Sequence, residues 1–125
     1  MSEASLPPWL QEQLAKYEQL RQTLQTVLAQ KQQLEAELAD TERAIQELKK
    51  AAPDAATYKI AGSILVKVPK ESLLKEMEEK KELTNTRVMV LSKQEQRLQA
   101  NIQELQAKIQ EMLKPKQEQP QGSQG

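Results

Sequence analysis

Seven residues from Glu76 to Glu82, EMEEKKE, are the densest gathering of ionisable groups in the chain. Carboxylates in such number raise the prospect of a divalent-metal site. Consecutive residues do not share a helix face, however. The chain also has no His and no Cys, and the run offers no third carboxylate converging with a pair of its glutamates. The run therefore reads as a solvated face. The same absences remove imidazole acid–base chemistry, thiol nucleophiles, disulfides and nearly all zinc chemistry. No glycine-rich loop is present to cradle a phosphate. The composition gives no enzyme and calls for no cofactor.

The residues that remain act by contact. Leu6, Trp9, Leu10 and Leu14 near the start, with Ile109, Met112 and Leu113 near residue 113, form one apolar group. A second lies in YKIAGSILVKV, residues 58–68, where Tyr58, Ile60, Ile64, Leu65, Val66 and Val68 alternate with polar residues around Gly62. β-branched residues dominate this second group. Gly62-Ser63 or Ala61-Gly62 supplies a turn, so it reads as a two-stranded hairpin of undecided turn type.

The elements that must position both groups are helices. Heptad positions a and d fall at Leu10, Tyr17, Leu24, Lys31, Leu38, Ile45 and at Gln13, Leu20, Val27, Leu34, Thr41, Leu48, and nine of the twelve are apolar. Past the hairpin they fall at Leu74, Lys81, Val88, Glu95, Ile102, Ile109 and at Met77, Thr84, Leu91, Leu98, Leu105, Met112, again nine of twelve. A 3.5-residue repeat held this long signifies a supercoiled seam. Lys31, Glu95 and Gln13 within it are read as fixing register and pairing in preference to serving as recognition residues. Pro7-Pro8 opens the first helix and Pro53 closes it; Pro69 opens the second, with Glu71 near its positive end, and Pro115 closes that one. Each helix has about 43 residues, roughly 65 Å at 1.5 Å per residue. A short connection favours an antiparallel pair. Setting a against d, facing residue numbers that sum to 122 put Leu10 against Met112, Leu24 against Leu98, Ile45 against Met77, Leu48 against Leu74 and Thr41 opposite Lys81; sums of 115 and 129 also keep a against d.

The expected organisation is a single mainly α domain over 1–113. It has a helix over about 8–51, a β-hairpin over about 57–68 and a helix over about 70–113. A Pro-, Gln- and Gly-rich tail, 114–125, is expected to be disordered. A lone hairpin is marginal in water and presents two unpaired edges. The helices' apolar stripe is already used by the seam, so the hairpin's remedy is other copies, whose strands close into a barrel. At the other end, terminal seam layers are covered on one side only and fray. That leaves an apolar patch able to bind any partner that shows apolar surface, with Leu6 and Trp9 alternatively serving as a staple of the first turn.

The 125 residues carry 18 basic and 18 acidic side chains, net charge zero, with 2% aromatics and no Phe. Even charge without basic blocks excludes a phosphate-tracking nucleic-acid surface. No apolar run approaches a membrane span, and MSEASLPPWL lacks the pattern of an export signal. A cytoplasmic protein is expected.

Tyr58-Lys59, Gly62 and Ile64-Leu65-Val66-Lys67-Val68 between two long helices, with Lys93 to Leu98 (KQEQRL) in the second, resemble the β-type subunit of prefoldin, in its archaeal form most. The match runs over residues 6–113. The resemblance implies a hexamer of two α-type subunits and four β copies, with a β-barrel body and six coiled-coil tentacles. It implies a holdase that binds unfolded client proteins and hands them to a group II chaperonin. It also tips Trp9 and Leu6 towards client contact. The alternatives are a tethering coiled-coil scaffold that uses the hairpin only to oligomerise, and the helical arm of a seryl-tRNA synthetase, which zero net charge disfavours.

Overall fold

The structure, a computed structural model, describes residues 6–114. It contains, in chain order, α1 (Pro8–Lys50), β1 (Thr57–Ala61), β2 (Ile64–Val68) and α2 (Lys70–Leu113). Of the tail expected to be disordered, 114–125, Lys114 is described and its amide donates to the Glu111 carbonyl at 3.3 Å; residues 115–125 lie outside the described residues.

Proline punctuates the helices. Pro8 is the first residue of α1, where a missing N–H costs nothing, and the Pro7 carbonyl accepts from the Leu10 and Gln11 amides at 3.0 Å each. α1 stops at Lys50, short of Pro53. The Ala51 amide is shared between the carbonyls of Glu47 (3.1 Å) and Leu48 (3.3 Å), and Ala52 to Ala55 then make a turn closed by Ala55 N–H to Ala52 O at 3.0 Å. Pro53 takes the second position of that turn, where its fixed φ fits. Pro69 precedes α2, and its carbonyl receives the Leu73 amide at 3.1 Å. Lys49 and Lys50 at the end of α1 and Glu71 at the start of α2 complement the helix dipoles.

Contacts divide the chain into two compact units. The hairpin unit, residues 29–92, holds the last part of α1, both strands and the first part of α2. The terminal unit pairs the α1 residues up to 28 with the α2 residues from 93 onward. In both, the heptads named above supply the buried side: every a and d position is buried or half-buried, with Met112 the exception.

In the hairpin unit the deepest polar residues are Thr41 and Thr84, each 4% exposed. The Thr41 hydroxyl donates to the Glu37 carbonyl one turn back at 2.9 Å, so its burial leaves no orphan. The Lys81 ammonium bridges Glu42 at 3.6 Å, one residue along from the Thr41–Lys81 layer expected from the heptads. In α2's first turns Leu73 is buried and Leu74 only half-buried. Leu73 lines a concavity with Leu48, Met77, Tyr58 and Ile60.

In the terminal unit Leu10, Leu105 and Ile109 form a buried cluster, flanked by Leu6, Tyr17 and Leu20. The Gln106 amide donates to the Tyr17 hydroxyl at 3.0 Å, and Arg21 lies over the same ring, 5.9 Å from its centre.

Candidate functional site

The hairpin is antiparallel, pairing Thr57 with Val68, Tyr58 with Lys67, Lys59 with Val66, Ile60 with Leu65 and Ala61 with Ile64. The turn is therefore Gly62-Ser63. Gly62 has φ +64° and no other residue among those described has a positive φ outside glycine. Positive φ at the first central position alone marks a type II′ turn, which matches the right-handed twist of the strands.

Direct cross-strand partners project from the same face. Tyr58, Ile60, Leu65 and Lys67 thus share one face, and Thr57, Lys59, Ala61, Ile64, Val66 and Val68 the other. The apolar residues picked out from the sequence are divided between both faces. On the first, Ile60 is 74% and Leu65 66% exposed. On the second, Thr57, Lys59 and Val68 are half-buried. Lys59 reaches the α2 residue Glu76, its ammonium 2.9 Å and 3.0 Å from the two carboxylate oxygens. The Thr57 hydroxyl donates to the Val68 carbonyl at 2.6 Å, and the Lys70 ammonium to the Ala51 carbonyl at 2.8 Å, capping the end of α1. The hairpin is thereby tied at its base while most of its apolar surface stays in solvent.

Edges follow from the register. In a two-residue hairpin the pair flanking the turn exchanges hydrogen bonds and the next pair does not. Counting from Ala61–Ile64, the backbone groups of Tyr58 and Ile60 on one edge, and of Leu65 and Lys67 on the other, point outward, ready for another strand.

The terminal apolar group separates into two kinds of residue. Leu10 and Ile109 are buried in the seam cluster, with Leu6 half-buried against it. Leu10 packs with Ile109 and Leu105, while Met112, set opposite it by the heptads, is exposed. α1 begins at Pro8, and among the described residues no further turn covers the end of α2. Trp9, Leu14, Met112 and Leu113 are exposed. Leu6 packs against the seam cluster and its carbonyl accepts from the Gln11 side-chain amide at 2.9 Å, whereas Trp9 is exposed. Sequence reasoning missed Leu73 and the Lys59–Glu76 pair. The first was hidden by the adjacent Leu74, which fits the heptad; the second links residues with no periodic relation.

Among the described residues no group of three or more His, Cys, Asp or Glu is placed to hold a metal, and no helix is long and apolar enough to cross a membrane.

The prefoldin subunit family model matches residues 11–116. The chain is 46% identical over 93 residues to the prefoldin subunit beta of Archaeoglobus fulgidus, covering 74% of this chain and 80% of that one. It is 40% identical over 111 residues to that of Pyrococcus furiosus, covering 89% and 95%. The crystal structure of the prefoldin beta subunit from Thermococcus strain KS-1 superposes with a TM-score of 0.83 at 36% identity, over 89% of this chain and 97% of that one. Two heptad-bearing helices around one exposed hairpin, shared with these relatives over most of their length, mean that the chain belongs to the prefoldin subunit family, on its β-type side.

Proposed function

We propose that this chain is a β-type subunit of an ATP-independent holdase, which binds non-native proteins at its helix ends and passes them to a group II chaperonin. The observation that carries the reading is the exposure of Trp9, Leu14, Met112 and Leu113 on the terminal turns of α1 and α2. Apolar side chains left open at a helix end bind any partner with apolar surface and read no particular sequence. Met112 adds an adaptable contact.

The hairpin supplies the body. Its outward backbone groups and the apolar face of Tyr58, Ile60 and Leu65 are buried by strands of other prefoldin subunits. In this reading they are four β copies and two α-type partners closing a barrel. Several weak ends on one body raise avidity by effective concentration. The assembly acts in the cytoplasm.

The test is Trp9→Ala with Leu113→Ala in the full chain, assembled with an α-type partner. The assembly should keep its mass by sedimentation while losing most of its ability to suppress aggregation of a diluted, unfolded client. A double variant that suppresses aggregation as well as the parent would remove the helix ends from the mechanism.

A further inference from the structure

Met112 occupies a heptad d position, yet its side chain is 42% exposed. It stands in the second-to-last residue of α2, among the apolar residues of the terminal unit. Of that group it alone is a thioether, whose polarity a mild oxidant can change while leaving the backbone intact. Hydrogen peroxide transfers one oxygen atom to a lone pair of Sδ, forming the S–O bond as its own O–O bond breaks. The sulfur is oxidised by two electrons, the peroxide is reduced, and water leaves. The sulfoxide places a polar group where an apolar one met the client.

We propose that Met112 is an oxidation-sensitive modification site through which peroxide lowers apolar capture at this helix end. The inference rests on the client-binding reading of the terminal turns. The molecule carries its own comparison. Met89, on α2 in the hairpin unit, is 61% exposed and belongs to neither apolar group. It meets the oxidant at least as readily, and its sulfoxide leaves capture untouched. Met77, half-buried in the concavity with Tyr58 and Ile60, reacts more slowly.

The experiment treats the full assembled chain with hydrogen peroxide, removes the oxidant with catalase, and then adds guanidinium-unfolded, reduced lysozyme. Peptide mapping assigns each sulfoxide. Capture should fall roughly fivefold, the order expected for desolvating one added polar group. Met112→Leu should hold its capture through the same treatment, Met89→Leu should lose it as the parent does, and methionine sulfoxide reductase should restore it. A parent fully oxidised at Met112 with undiminished capture overturns the inference, as does an equal loss in Met112→Leu. The untreated Trp9→Ala/Leu113→Ala variant separates the two levels. If it captures normally, the client-binding reading falls. If it fails to capture while the oxidised parent succeeds, only the role of Met112 falls.

Discussion

Ile60 and Leu65 face each other across the hairpin and are 74% and 66% exposed. Fully burying such a side chain is worth about 1.5–3 kcal/mol. Neighbouring strands that cover the exposed fraction therefore recover about 1–2 kcal/mol at each position. Truncating Ile60→Ala removes most of that share and should weaken assembly by roughly 5–30-fold, since about 1.4 kcal/mol is tenfold. In the unassembled chain the same side chain touches little, and its loss should change stability by no more than about 0.5 kcal/mol. The two effects are separable by experiment. Sedimentation across a concentration series, with an α-type partner present, reads the dissociation midpoint. Circular dichroism of the unassembled chain reads helix content and melting. Ile60→Ala with Leu65→Ala should shift the midpoint further than either change alone, though not by their simple sum since the two are cross-strand neighbours, and leave the helical signal intact. An unchanged midpoint would mean that this face is not where subunits meet. Lost helix would mean that the hairpin supports its own helices more than its exposure allows.

Two further outcomes are expected. Thr41→Val with Thr84→Val makes two buried polar seam positions apolar at nearly constant shape, which should raise the melting temperature by several degrees; thermal denaturation followed by circular dichroism checks it, and a large fall would show that the hydroxyls are essential to the seam. Glu76→Gln breaks the Lys59–Glu76 pair, whose side chains are both about half exposed, so the cost should be under about 1 kcal/mol and should vanish at high salt. A loss that persists in molar salt would give the pair a role beyond charge.

The helices were legible because a heptad is a physical demand repeated many times. Residues as different as Gln13, Lys31 and Thr41 fall on the buried side since their neighbours at a and d leave them no other place. The hairpin was legible from Gly62 and its β-branched flanks. Its turn type was not, because Ala61-Gly62 and Gly62-Ser63 both suit a turn and only pairing decides between them. The terminal group was legible in composition but not in its division. Heptad lettering treats Leu10 and Met112 alike, whereas coverage depends on where α1 begins. Pro8 sets that start two residues before Leu10 and leaves Met112 open. Leu73 escaped detection because the adjacent Leu74 fits the heptad, and no helical period marks the concavity that Leu73 lines with Tyr58 and Ile60.

Between β2 and α2 stands a single residue, Pro69, whereas six residues separate α1 from β1. Pro69 fixes φ at the joint between β2 and α2, while the longer connection is a folded one, closed by Ala55 N–H to Ala52 O at 3.0 Å and held by the Lys70 ammonium on the Ala51 carbonyl at 2.8 Å. Both helices are thus anchored to the foot of the hairpin, one through the chain itself and the other through a lysine that Lys70→Ala would remove.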